Sequence, residues 1–187
     1  MTPLASLWLP IVLSAVFVFI VSSILHMVLT SWHRNDFVHL TNQDAVMDAV
    51  RGLNLAPGDY MVPHPTSSEG MRSPEFAERI RKGPRMVFTV LDAGQFSMGR
   101  PLALWFLYDL VVSLFAGYVA GRALGPGTPY IQVFRFAGVT AFIGYACALW
   151  QGVIWYGRSV STTVKLTIDG LLFAFVTAGT FGWLWPR

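Results

Sequence analysis

Charged residues and cysteine are both scarce in this sequence. Asp, Glu, Lys and Arg together make up 12% of the 187 residues, which is about half the share found in soluble domains. The single cysteine, Cys147, excludes an internal disulfide and any zinc site built on paired cysteines. The net charge is only +3, and the basic residues form no patch interleaved with aromatics. We therefore expect no nucleic-acid partner.

Sequence motifs for catalysis are also missing. The chain contains no HExxH, no CxxCH, no GxSxG, no Walker-type GxxxxGK[ST] and no GxGxxG, so metalloprotease, haem, hydrolase and nucleotide-binding signatures are all absent. We assign no catalytic residue and no cofactor from the sequence. Whether the protein is an enzyme stays open, and the absence of motifs favours a protein that is not one.

Hydrophobic residues make up 54% of the chain, with a mean hydropathy of +0.53. A membrane-spanning helix needs about 20 mostly apolar residues, and four segments meet that requirement: 7–30, 102–122, 130–156 and 164–185. Trp and Tyr residues concentrate near the ends of these segments, as they do at membrane–water interfaces. We predict an all-α membrane protein, a four-transmembrane-helix bundle with the lipid bilayer as its solvent.

Residues 31–100 differ from the rest in polarity. They contain eight of the thirteen basic and eight of the ten acidic residues. Apolar residues at 46, 50 and 53 predict a short amphipathic helix, and SPEFAERIRKG predicts a second helix with a Ser cap and Pro at its first position. PGDYMVP and PRMVFTVLDAG are typical of short strands. We predict a small α/β extramembrane insertion between helices 1 and 2, marginally stable alone because of its size.

The distribution of basic residues predicts the orientation. An even number of spans puts both chain ends on one side and the insertion on the other. Five basic residues lie near the helix ends on the insertion side: Arg34, Arg85, Arg100, Arg158 and Lys165. The terminal side has Arg122 and Arg187, with Arg135 a little way inside. Because positive residues favour the cytoplasm, we predict that residues 31–100 are cytoplasmic.

Two acidic residues, Asp109 and Asp169, fall inside predicted spans. With a rise of about 1.5 Å per residue, four polar side chains from four helices lie about 6 to 10 Å from the insertion side: His26, Asp109, Gln151 and Asp169. Ionisable groups in lipid are costly and turn inward to find partners. We predict one intramembrane polar layer. It is either a structural hydrogen-bond network or a binding site for a proton, an ion or another ligand.

Small residues recur at helical spacing in two of the predicted spans. Close approach of helix backbones in lipid depends on such residues. The candidate helix-packing positions are Gly117, Gly121, Ala137, Ala141, Gly144, Ala148 and Gly152. The same stripes would also serve self-association or contact with other membrane subunits, and the sequence does not separate these uses.

The histidines raise a metal hypothesis. His26 and His33 lie about 10.5 Å apart along the axis if the first helix continues, so they cannot then share one ion. The i,i+3 pair His33 and Asp36 is a weak candidate for a metal site, and it needs a third ligand from elsewhere in the chain. The sequence favours solvated histidines near the interface, and we predict no metal site.

Four stretches, SSILHMVLTSWHRNDF, NQDAV, PGDYMVP and GLLFAFVTAGTFGWLWP, together resemble an uncharacterised family of small bacterial four-helix integral membrane proteins. The resemblance implies a multi-pass protein of the bacterial inner membrane, and it implies no substrate or cofactor. For function, the sequence favours a non-enzymatic scaffold or accessory subunit of a larger membrane assembly. The alternatives are a small oligomeric transporter, channel or proton-coupled carrier that uses the polar layer, and a membrane-embedded metal or redox protein.

Overall fold

The computed structural model describes residues 1–187. It confirms four helices that are long and apolar enough to cross a membrane, together with one small two-stranded sheet. The helices are α1 (Trp8–Ser23), α2 (Gln43–Arg51), α3 (Ser68–Met71), α4 (Pro74–Lys82), α5 (Gly99–Ala123), α6 (Tyr130–Ala146), α7 (Trp150–Tyr156) and α8 (Val160–Trp183). The strands are β1 (Gly58–Val62) and β2 (Met86–Val90).

The chain divides into two compact units. One unit contains Met1–Val38 and Ser97–Arg187, and the other contains His39–Phe96. Residues 31–38, which the sequence assigns to the insertion, therefore belong with the long helices. This division matters for function because His33 and Asp36 lie in the helical unit.

The helical unit has its chain ends and the loop between α5 and α6 at one end. The Thr2 amide donates a hydrogen bond to the Gly121 carbonyl over 2.8 Å, and the Gly127 amide donates to the Pro186 carbonyl over 2.9 Å. The Trp185 indole donates to the Gly125 carbonyl over 2.9 Å. These bonds satisfy backbone groups that helix ends leave unpaired. They tie the N-terminus to the end of α5 and the C-terminus to the loop that follows it.

The first helix changes its pitch near its end. It begins with a 3₁₀ turn, Leu4–Leu7, and closes with a π-helical turn, Ile24–Val28, in which the Leu29 amide donates to the Ile24 carbonyl over 2.9 Å. Leu29 then leaves the helical conformation with φ −87° and ψ 47°. Two further turns follow, closed by bonds from Trp32 to Leu29 and from Asp36 to His33, so the chain folds back instead of continuing along the helix axis.

Small residues allow the long helices to approach closely. A Cβ at Gly117 would lie 3.2 Å from Ile11 and Phe181, and one at Gly144 would lie 3.1 Å from Val112. At Gly121 the Cβ would lie 2.8 Å from the Thr2 carbonyl oxygen. Ala137 and Ala141 are fully buried. At these five positions the predicted small-residue stripe lies against neighbouring elements.

The last two positions of the stripe are placed differently. Ala148 is exposed, and a Cβ at Gly152 would meet Arg158 at 3.1 Å rather than another long helix. The cause is a 3₁₀ turn over Cys147–Leu149 that interrupts the third span between α6 and α7. A 3₁₀ turn has fewer residues per revolution than an α-helix. Residues beyond it therefore no longer share a face with Ala137 and Ala141.

The unit His39–Phe96 contains both strands and three short helices. β1 and β2 pair antiparallel, with Gly58 opposite Val90 and Val62 opposite Met86. In α4 the Ser73 hydroxyl accepts a hydrogen bond from the Phe76 amide over 3.1 Å, and Pro74 occupies the first helical position. This is the cap that SPEFAERIRKG predicts.

Candidate metal centre

The π-helical turn and the fold-back bring His26 and His33 together. Their imidazole rings stack with centroids 4.3 Å apart and an interplanar angle of 11°. A separation of about 10.5 Å along the axis would require the helix to continue past Val28, and it does not. The helix ends at that point, so the seven-residue spacing no longer sets their separation.

Asp169 of α8 completes a group of three metal-ligating side chains. One ring nitrogen of His26, one ring nitrogen of His33 and a carboxylate oxygen of Asp169 all lie within 4.8 Å of one another. Asp169 is almost fully buried, with 3% of its side chain exposed, and His33 has 14% of its side chain exposed. The arrangement joins residues 143 positions apart in sequence, and no local spacing indicates it.

Hydrogen bonds determine which ring nitrogens are free. The Nδ1 of His26 lies 2.9 Å from the Ser22 carbonyl oxygen. The Nδ1 of His33 lies 2.6 Å from Oδ2 of Asp36. Carbonyl and carboxylate oxygens accept hydrogen bonds, so each Nδ1 carries a proton and each Nε2 of a neutral ring keeps its lone pair. In its neutral form, each histidine thus presents an unprotonated Nε2 for coordination.

The carboxylate of Asp169 has one partnered and one unpartnered oxygen. Its Oδ1 accepts a hydrogen bond from the Trp32 indole over 2.9 Å. Its Oδ2 lies 3.0 Å from Nε2 of His33, but the geometry is not that of a hydrogen bond, and both atoms are buried without a hydrogen-bond partner. Two electron-rich atoms this close need a positive charge between them, either a proton on the imidazole or a metal ion.

An outer layer of polar groups holds the His33 ring in place. Oδ2 of Asp36 accepts a hydrogen bond from His33, and Oδ1 accepts one from the Lys165 ammonium over 2.9 Å. Partial burial raises the pKa of Asp36, but the hydrogen bonds from Lys165 and His33 and the positive charge of Lys165 lower it further, so the net pKa lies below the ordinary value. Asp36 is therefore ionised at neutral pH. A carboxylate that orients a ligating histidine is a common feature of metal sites.

The predicted polar layer is divided in the structure. Asp109 is fully buried and lies with Tyr145, whose hydroxyl donates to Oδ1 over 3.3 Å. Asp169 lies with His33 and Trp32, and His26 joins that group. Gln151 is exposed on α7, beyond the 3₁₀ turn that changes the helical phase. The sequence predicts a similar depth for all four residues. In the structure His26 and Asp169 belong to the cluster, and Asp109 and Gln151 do not.

A cavity of about 610 Å³ adjoins two of the three candidate ligands. Its lining includes these two and four aromatic side chains: His26, Asp169, Trp105, Tyr108, Tyr145 and Phe173. The aromatic rings contact one another with centroid separations of 5.5 to 6.2 Å. The volume is in the range of small-molecule sites, which are mostly apolar with a few placed polar groups.

Comparison with known protein families, curated protein sequences and solved structures finds no match to this chain. The geometry of the site is therefore the ground for any functional assignment. Sequence reasoning missed Trp32 and Lys165 as partners of the two carboxylates. The near neighbours His33 and Asp36 were the one local signal of this site, while Trp32 stood out only as an aromatic residue near a helix end.

Proposed function

We propose that this chain is a membrane-embedded metalloprotein that binds one divalent first-row transition metal ion through His26, His33 and Asp169. The observation that carries the proposal is the buried, unpartnered pair of His33 Nε2 and Asp169 Oδ2 at 3.0 Å. With both Nδ1 atoms bonded to acceptors, the free atoms of the cluster are lone-pair donors. A metal ion satisfies all three at once.

Two imidazoles and one carboxylate form a ligand set that takes Zn²⁺ or Fe²⁺. Tetrahedral bonds of about 2.1 Å place ligand atoms about 3.4 Å apart, and the three atoms already lie within 4.8 Å. Side-chain rotations that move the ligand atoms by about an ångström close that difference. Three protein ligands leave at least one coordination position for an outside molecule, as in catalytic rather than structural sites.

The geometry favours this function over the accessory-subunit and transporter hypotheses. In this cluster the unpartnered carboxylate oxygen lies 3.0 Å from an imidazole nitrogen, and both are metal-ligand atoms, whereas the other buried carboxylate, Asp109, is paired with a phenol hydroxyl. A carrier using one polar layer needs Asp109 beside Asp169, but these residues have separate partners. The small-residue stripes that motivate a larger assembly lie largely against helices of the same chain.

For localisation we propose a bacterial inner membrane, four spans and a cytoplasmic His39–Phe96 unit. Four helices of sufficient length and apolarity support the multi-pass arrangement. The excess of Arg and Lys near the helix ends on the insertion side supports the orientation. The choice of membrane rests on the four sequence stretches that resemble small bacterial four-helix membrane proteins.

Metal analysis of the purified protein tests the proposed function. Elemental analysis after purification in detergent, followed by titration of metal-stripped protein with Zn²⁺, is expected to give one ion per chain. His33→Ala and Asp169→Asn are each expected to abolish stoichiometric binding, since each removes one of three ligands.

The chain offers a matched control for each variant. Asp109→Asn changes the other buried aspartate of the long helices, and His64→Ala changes a histidine of the other unit. Both are expected to retain one ion per chain. Equal loss of metal in Asp109→Asn and Asp169→Asn, or wild-type protein that binds no ion, would contradict the proposed function.

A further inference from the structure

We propose that the cavity beside the metal centre holds the apolar tail of a membrane amphiphile whose oxygen head group coordinates the metal. The inference rests on the proposed function, because it needs an ion at His26, His33 and Asp169. It goes further by naming the chemical class of the outside ligand, a single-chain lipid with a carboxylate or similar oxygen donor.

The position of the cavity relative to the ligands is the first ground. His26 and Asp169 are members of the ligand cluster and also line the cavity. An ion held by these residues is therefore adjacent to the cavity, and an outside molecule in the cavity reaches the coordination position that the three protein ligands leave open. A head group at the ion and a tail along the aromatic walls fit this arrangement.

The chemistry of the walls is the second ground. The polar groups that line the cavity are already engaged with the protein. The Trp105 indole donates to the Ser22 hydroxyl over 2.8 Å, the Tyr108 hydroxyl donates to the Gly144 carbonyl over 2.6 Å, and the Tyr145 hydroxyl donates to Asp109. Away from the metal, the walls present ring faces and aliphatic carbons. A polar metabolite would lose its hydrogen bonds to water there and find no partners to replace them. An alkyl chain has no such hydrogen bonds to lose.

The accessibility of the cavity is the third ground. Three residues of its lining are more than a third exposed, namely Met27 (61%), Met98 (44%) and Tyr108 (41%), so the cavity is not closed. Met27 and Tyr108 lie in helices long and apolar enough to cross a membrane, so the surface of α5 around Tyr108 contacts hydrocarbon in a bilayer. An amphiphile reaches the cavity from the lipid phase, where its tail already resides.

Cobalt substitution gives a direct test. The metal-stripped protein in detergent is loaded with Co²⁺, whose visible absorption reports changes in coordination. Two probes with the same chelating head group are titrated, dodecanohydroxamic acid with a twelve-carbon chain and acetohydroxamic acid with almost none. We expect both probes to change the cobalt spectrum, with the long-chain probe acting at concentrations at least 10-fold lower.

Variants separate cavity binding from partition of the probe into micelles. Leu102→Trp fills the cavity from α5 without touching a ligand, and Leu104→Trp places the same side chain on a 54% exposed position of the same helix. Leu102→Trp is expected to weaken the long-chain probe at least 10-fold and to leave acetohydroxamic acid within 2-fold. Leu104→Trp is expected to leave both unchanged. Leu166→Phe fills the cavity from α8 and replaces Leu102→Trp if that variant does not fold.

The outcomes distinguish the two proposals. Wild-type protein that gives no Co²⁺ spectrum overturns the proposed function and this inference together. A normal Co²⁺ spectrum with equal potency of both probes, or with no response to either probe, shows that the cavity does not bind the tail of a metal-coordinating amphiphile, and it overturns only the inference. The same holds if the cavity-filling variants respond to the long-chain probe as the wild type does.

Discussion

At the scale of single residues, the two buried aspartates of the long helices differ in their neighbours. Each has one oxygen that accepts a hydrogen bond and one that lacks a partner. The free oxygen of Asp169 lies beside an imidazole nitrogen, while Asp109 lies beside a tyrosine hydroxyl. Imidazole and carboxylate together ligate transition metals, so the neighbours, and not burial, make Asp169 the carboxylate of the proposed metal site.

The Asp36 carboxylate is predicted to tune metal affinity without contacting the ion. Asp36→Asn removes the charge that holds His33 Nδ1–H and weakens the basicity of the ring. We expect 10- to 100-fold weaker Zn²⁺ binding, roughly the cost of losing such an outer partner, with the stoichiometry still one ion per chain. Competition with a chelator measures the affinity.

Asp48→Asn is the matched control for that measurement. Asp48 pairs with Arg51 on the exposed surface of α2, and its removal is expected to leave Zn²⁺ affinity unchanged. If Asp36→Asn and Asp48→Asn bind Zn²⁺ as tightly as the wild type, His33 is not oriented by Asp36 in the manner described.

Tyr145 is predicted to stabilise the fold through Asp109 and not to affect the metal. Tyr145→Phe leaves a fully buried carboxylate without its hydrogen bond, which we expect to lower the free energy of unfolding by about 1–2 kcal/mol. Unfolding in mixed micelles with rising SDS measures the change. Tyr118→Phe, at a position 52% exposed, should change it little, and metal stoichiometry should be normal in both. A Tyr145→Phe protein as stable as the wild type would contradict the prediction.

Sequence reasoning could reach part of the candidate site. A similar depth for His26 and Asp169 follows from the sequence because both lie in predicted spans close to the insertion side, and the change of pitch begins at Ile24, only two residues before His26. Sequence reasoning could not find the contact of His26 with His33, since that contact depends on the π-helical turn Ile24–Val28 and on Leu29 leaving the helix. No residue type in ILHMV signals a change of pitch, and packing decides it.

At the scale of elements, the third span shows the same limitation. Hydropathy predicts one segment over 130–156, and the structure divides it into α6, a 3₁₀ turn and α7. The apolar content is unchanged by the turn, so hydropathy does not register it. The rotation after Cys147 is what exposes Ala148 and Gln151, and it explains why α6 supplies most of the close contacts of this span.

Two glycines of α8 provide a test of the packing between α6 and α8. A Cβ at Gly170 would lie 3.0 Å from the Ala146 Cβ and 3.3 Å from Tyr145, whereas a Cβ at Gly179 would meet only the Tyr130 hydroxyl at 3.6 Å. Gly170→Ala is expected to lower the free energy of unfolding by about 1–3 kcal/mol through overpacking. Gly179→Ala is expected to be neutral or slightly stabilising, because alanine favours the helix. The same SDS unfolding measures both, and equal effects would contradict the close approach of α6 and α8 at Gly170.

At the scale of the whole molecule, hydropathy and charge predict the general architecture well. Four apolar helices follow from four long runs with few charges, and the two-stranded sheet follows from PGDYMVP and PRMVFTVLDAG. The boundary of the insertion was harder to place, because residues 31–38 are polar like the insertion but cluster with the helices. Their polar groups bond to Asp169 and Lys165, and such long-range partners leave no local signal.

Cysteine labelling is expected to place positions 68 and 126 on opposite faces of the membrane. In a Cys147→Ser background, Pro126→Cys lies in the exposed loop that contacts the chain ends, and Ser68→Cys lies on the exposed surface of the other unit. If the basic residues set the orientation, a membrane-impermeant thiol reagent labels position 126 in intact cells and position 68 only after lysis. The reverse pattern would contradict the proposed orientation but keep four spans. Labelling of both positions in intact cells would contradict the four-span arrangement itself, because α5 is the single span between the two positions and a helix that crosses the membrane cannot leave both of its ends outside.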